Sequence, residues 1–170
     1  MTDTKAAAPA HLPGLSMYDK RRIEAEILKH VYDAVTESHG KAEAAKVVAE
    51  AVTRSAIEQG QRFAAEAPAG TSLQGFIDMQ DLWTKGGALD VEVLGRTEDT
   101  YSFNVTRCRY SEMYKEMGLG EIGHLLSCQR DGTFCEGYDP KLKLERTQTI
   151  MQGASHCDFR FRYGEDKPAA

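Results

Sequence analysis

"EIGHLLSCQRDGTFCEGY", residues 121–138, reads two ways, and the fold turns on the choice. As a strand, alternate residues face opposite sides, so His124 and Cys128 part from Asp131 and Cys135. As a helix, the same four are four, three and four residues apart, which keeps them on one face. The helix is the adopted reading, with Gly132 as its weak point. The plainer account of this stretch is that Leu125, Leu126 and Phe134 drive its burial and the reactive groups ride along, since a cysteine often serves as a small hydrophobe.

Working outward, the chain before this stretch divides into helices and then strands. Ser16 followed by Asp19 is a capping signal. From Met17 to His39, Ile23, Ile27, Val31 and Val35 recur every four residues, with Leu28 and Tyr32 at the edge, which predicts an amphipathic helix closed by Gly40. Residues 41–67 are Ala-rich and predict a second long helix, halted by Pro68 and Gly70. A third, shorter helix is expected over 72–83. After Gly86-Gly87 the period changes to two. Leu89, Val91 and Val93 predict one strand, 95–99 a turn, and 100–110 a second strand with Tyr101, Phe103 and Val105 on one face. A short helix fits 111–117.

Beyond the opening stretch, 142–151 and 155–163 predict two more strands around Gly153. Helices first and an antiparallel sheet later, with a helix packed on it, make an α+β domain. It is expected over 16–163 as a single unit, helical over 16–84 and sheet-rich over 88–163, with flexible tails at 1–15 and 164–170.

Composition narrows the function. The 170 residues are 41% hydrophobic and 28% charged, with a net charge of −5 and a pI of about 5.6. No basic stripe suits a nucleic-acid backbone, no apolar run spans a bilayer, and the first residues lack the pattern of a secretory signal. A cytoplasmic location with reduced thiols is the expectation for Cys108, Cys128, Cys135 and Cys157, although an even count also admits two disulfides. No pair has CxxC spacing, which disfavours a zinc ribbon or finger.

Three ordered motifs carry a family resemblance: "FNVTRCRYSEMY" (103–114), "LLSCQRD" (125–131) and "RTQTIMQGASHCDFRF" (146–161). Together they resemble the L-2-amino-thiazoline-4-carboxylic acid hydrolases. The ending "GASHCDFRF" is also similar to the closing strand of 4-vinyl reductase domains, a ligand-binding α+β fold. The resemblance implies hydrolysis at a carbon–nitrogen bond of a small cyclic amidine or amide, opening to a carbamoyl amino acid. It implies a small-molecule substrate, with neither nucleic acid nor membrane as partner. A non-catalytic ligand-binding or sensor domain is the alternative. The Ala-rich second helix leaves a homo-oligomer open.

Such a reaction needs a proton donor for a ring nitrogen, a nucleophile, and a fork for the substrate carboxylate. Within the motifs, Cys108, Cys128 and Cys157 are the candidate nucleophiles. Asp131 and His156 are candidate acid or base groups. Arg107 and Arg146 are candidate clamps, with Thr147, Glu112 and Asp158 as further substrate-binding candidates. Adjacent strand residues face opposite ways, so His156, Cys157 and Asp158 cannot form a triad among themselves. Their duller readings are a core cysteine and a solvated ion-pair row. A metal-free mechanism without cofactor is preferred. Zinc on Cys128, Asp131, His156 and Cys157 stays open.

Overall fold

The structure is a computed structural model, described here over residues 9 and 11–164; most of the expected N-terminal tail and residues 165–170 of the C-terminal one lie outside the described residues. Helix α1 spans Met17–His39 and α2 Lys41–Glu66. Ser16 caps α1, its hydroxyl accepting from the Asp19 N–H at 3.0 Å. Gly40, at φ 84°, joins the two helices, a conformation that residues with a Cβ rarely adopt.

The α1 periodicity holds, but the buried face is not the predicted one. Ile23 and Ile27 are 54% and 66% exposed, while Met17, Arg21, Ala25 and Tyr32 are buried. These four also recur at helical spacing. The small side chain of Ala25 fits against α2, whose own buried face is Ala44, Val48, Val52 and Ala56. The isoleucine stripe faces outward.

The expected third helix divides in two: α3, Leu73–Asp78, and a single turn α4, Asp81–Thr84. Strand β1, Leu89–Arg96, runs two residues into the predicted turn, with a register shift between Val93 and Gly95 that absorbs one residue. Strand β2, Thr100–Cys108, stops two residues early, because the Cys108 thiol caps helix α5, Arg109–Glu116, accepting from the Ser111 N–H at 3.4 Å.

The opening stretch is helical in two geometries. His124–Cys128 form a π turn, with the Gln129 N–H bonded to the His124 carbonyl, and α6 follows over Gln129–Tyr138. A π turn holds more residues per turn than an α-helix, so it breaks the predicted stripe. His124 faces a groove beside Tyr32 and Lys41, while Asp131 faces a separate cavity.

Strand β3 is only Leu142–Glu145, and the predicted strand to Met151 gives way to an extended segment and a 3-10 turn, Ile150–Gln152. Gly153, at φ 98°, reverses the chain into β4, Cys157–Tyr163. The antiparallel sheet is ordered β1-β2-β4-β3. Helices α2 and α6 cross so closely that a Cβ on Gly137 would stand 2.1 Å from the Ile57 carbonyl oxygen, and one on Gly60 would stand 2.3 Å from that of Phe134. Only glycines permit that approach.

Candidate functional site

A cavity of about 400 Å³ lies between the sheet and the helices, within the range of small-molecule sites. Its apolar wall follows from strand parity. Phe103 on β2 pairs with Phe159 on β4, and the two rings stack at 4.8 Å. Phe161 extends the row to Phe76 of α3, also at 4.8 Å. Trp83 meets Phe134 of α6 edge-on at 5.4 Å. These are favoured aromatic geometries, with the rings still offering edges and faces to a guest.

The polar end is built from α1, α2 and α6. Arg21, 3% exposed, donates to Glu24 Oε2 at 2.6 Å and to Gln59 Oε1 at 2.8 Å. Arg130, 6% exposed, donates through Nη2 to the same Glu24 oxygen at 2.9 Å and through Nε to the Leu126 carbonyl at 2.9 Å. Burial foremost, and then the neighbouring Arg21, brings the Arg130 guanidinium down to about 10.

Asp131 stands beside them. It is deeply set, yet its side chain keeps 31% of its surface accessible because that surface opens on the cavity. Burial raises its carboxyl above the ordinary carboxylate range, and the opposing pull of Arg146, Arg21 and Arg130 does not cancel the rise. Arg146 pairs with Asp131, donates to the Cys128 carbonyl at 2.7 Å, and lies over the Phe159 ring with Cζ 5.1 Å from its centroid. It thus joins α6 to β4 and fixes the carboxylate. Arg146 reaches this position because the segment after β3 leaves the ladder.

Cys108, Cys128 and Cys157 gather around the same pair, near enough to act on one another electrostatically. Burial pushes the Cys108 thiol up to about 11 and the Cys128 thiol up to about 12, and raises Cys157 as well. A buried thiol with a raised pKa is a poor nucleophile at neutral pH. Cys157 Sγ accepts from the Ile150 N–H at 3.2 Å, and Cys135, also buried, donates to the Asp131 carbonyl at 3.1 Å.

The remaining predicted residues lie elsewhere. Arg107 and Glu112 pair with each other at the surface, at 2.8 Å, and neither lines the cavity. Asp158 accepts from the backbone of Thr147 and Gln148 and from the Thr147 hydroxyl at 2.7 Å, which ties the segment after β3 to β4. His156 precedes β4 in a bend and contacts Gln148 and Ser155. Among the described residues no three His, Cys, Asp or Glu side chains group as metal ligands, the Cys128, Asp131, His156 and Cys157 set included.

Sequence reasoning missed Arg21, Gln59, Arg130 and the aromatic wall. One signal was present: Arg21 is the single charged residue in the stripe Met17, Arg21, Ala25, Leu28, Tyr32.

The family model described as L-2-amino-thiazoline-4-carboxylic acid hydrolase matches residues 20–161. No curated protein matches the sequence significantly. By structure, the chain is similar to the phenol-responsive sensory domain of the transcription activator PoxR with phenol, at TM-score 0.51 and 13% identity, covering 84% of this chain and 74% of that one. A trafficking protein particle complex subunit 3 from Naegleria fowleri, covalently bound to palmitic acid, aligns at TM-score 0.46 and 11% identity, over 86% of this chain and 96% of that one. The first of these shows a shared α+β fold with a ligand-binding sensory domain. Among the described residues no helix is long and apolar enough to cross a membrane.

Proposed function

The chain belongs to the L-2-amino-thiazoline-4-carboxylic acid hydrolase family, and on that premise we propose that it hydrolyses small cyclic amidines or amides at a carbon–nitrogen bond, in the aromatic cavity. The observation that carries this reading is Asp131. A carboxyl with a raised pKa opens on the cavity and is held by a guanidinium from another element. That is the arrangement a proton-transfer group needs.

In the proposed step a water molecule adds to the electrophilic ring carbon while Asp131 takes one of its protons. The tetrahedral adduct then collapses, the bond from that carbon to the departing ring nitrogen breaks, and Asp131 returns the proton to that nitrogen. Arg146 keeps the carboxylate oriented throughout. The thiols serve in packing, because a thiolate route needs an anion that burial opposes at Cys108, Cys128 and Cys157.

The test is turnover across a panel of thiazolines, hydantoins and lactams. On a substrate that is turned over, Asp131→Asn lowers kcat by about 100-fold or more, as loss of a general acid–base does, while Cys128→Ala and Cys157→Ala stay within about tenfold of the wild type on the same reasoning. Loss of turnover in either cysteine variant, with its thermal melt intact, would restore the thiolate route. A second reading, a non-catalytic small-molecule sensor, is favoured by the continuous aromatic wall and by the phenol in the name of the PoxR domain. It predicts tight binding and no turnover anywhere on the panel.

A further inference from the structure

Two buried guanidiniums, Arg21 and Arg130, line the polar end of the cavity with Asp131 beside them. Glu24 bridges the two guanidiniums and Arg146 pairs with Asp131, both from outside the lining. Lys20 lies close by. Its ammonium is held below its usual range by burial first and by Arg21 next, with Arg62 and Arg130 contributing. Arg62 Nε is buried with no hydrogen-bond partner. Each guanidinium has five N–H donors, and the bonds described engage two on Arg21 and three on Arg130. Asp81, the other acid lining the cavity, is exposed at its solvent side.

Two buried guanidiniums with unused donors suit an anion, and a carboxylate matches their forks. The remaining wall, Phe76, Trp83, Phe103, Phe134 and Phe159, wants a flat apolar body that can stack or present its edge. We infer that this cavity selects planar aromatic monoanions, an aryl carboxylate above all, with the carboxylate between Arg21 and Arg130 and the ring among Trp83, Phe134 and Phe159. The inference rests on the cavity being the ligand site, as proposed above, and is independent of whether hydrolysis follows. It also moves the carboxylate clamp from Arg107 and Arg146 to two arginines on α1 and α6.

Trp83 is the single tryptophan of the chain and stands in the cavity wall, so its fluorescence reports occupancy without any turnover. Wild-type protein is titrated by fluorescence and calorimetry with 4-ethylbenzoate, its neutral counterpart 4-ethylbenzamide, and non-aromatic cyclohexanecarboxylate. The expected result is about tenfold or greater preference for the benzoate over each of the others, a size set by one charge-assisted pairing or one aromatic contact. In Arg130→Gln the preference over the amide falls toward unity. If that variant fails to fold, the wild-type ligand series decides alone. Equal affinity for amide and benzoate, or no Trp83 response to any of the three, overturns the inference. Benzoate preference without turnover on the heterocycle panel upholds it and removes the hydrolase reading. Turnover that saturating benzoate does not inhibit removes the inference and leaves the hydrolase reading standing.

Discussion

Arg21 and Arg130, on α1 and α6, donate to the same oxygen of Glu24, at 2.6 and 2.9 Å. One exposed-edge carboxylate therefore holds two buried guanidiniums side by side. The first helix is thereby tied to α6 through charge. Arg21 extends the link to α2 by donating to Gln59.

Glu24→Gln removes the shared negative charge and leaves the two guanidiniums facing each other. Stability in urea falls by about 2 kcal/mol, the scale of a hydrogen bond to a charged group. An added aryl carboxylate recovers part of that loss if it binds between the arginines, because a ligand of the folded state alone stabilises it by mass action. Denaturation curves with and without 4-ethylbenzoate check both halves. A variant as stable as the wild type would show that the two cations are satisfied without Glu24.

Gly137→Ala places a methyl group where the Ile57 carbonyl stands, and Gly60→Ala does the same at Phe134. The obstructing atoms are backbone, which cannot rotate away, so α2 and α6 must separate. Each substitution costs about 3 kcal/mol or more, at the upper end of overpacking. Gly132→Ala is the control, since nothing lies within 4 Å of its added Cβ. Thermal melts of the three variants should rank the two crossing-point glycines far below it.

Asp139 links three parts of the fold, accepting from the Thr71 hydroxyl at 2.7 Å, the Tyr163 hydroxyl at 2.7 Å and the Lys141 N–H at 2.9 Å. Burial raises its carboxyl, but these bonds outweigh burial and the net shift is downward. A carboxyl lowered on folding gives stability that is fully present above its unfolded value, roughly 3.9, and that is lost as pH falls from there through the folded value. Asp139→Asn therefore flattens the acid side of the stability profile and lowers the plateau at neutral pH. Denaturant midpoints taken from about pH 6 downward through the unfolded value follow that loss. An unchanged acid limb would mean that other carboxylates carry the acid transition.

Local signals in the sequence determined much of this protein. Ser16, Gly40 and the apolar period fixed α1 to within its observed ends, because caps and positive-φ glycines act over a few residues. The alternation of Tyr101, Phe103 and Val105 put these side chains together on one face, the buried one, because pleating sends alternate residues to opposite sides. The three motifs told the family. Cys128, Asp131, Arg146 and Cys157 were each named from those motifs, in separate candidate roles.

Tertiary structure decided what depends on contacts distant in sequence. Either of two stripes on α1 could have been buried, and the choice went to the one bearing Arg21 because Ala25 fits against α2 and because Glu24 and Gln59 satisfy the guanidinium. The π turn at His124–Cys128 rotated His124 away from Asp131, a shift no spacing rule for an α-helix contains. The release of Arg146 from the sheet, the pairing of Arg107 with Glu112, and the cavity's aromatic wall all depend on which surfaces meet. Burial also bears on the cysteines, since the folded surroundings push the Cys108 thiol up to about 11 and the Cys128 thiol up to about 12, which no spacing in the sequence shows.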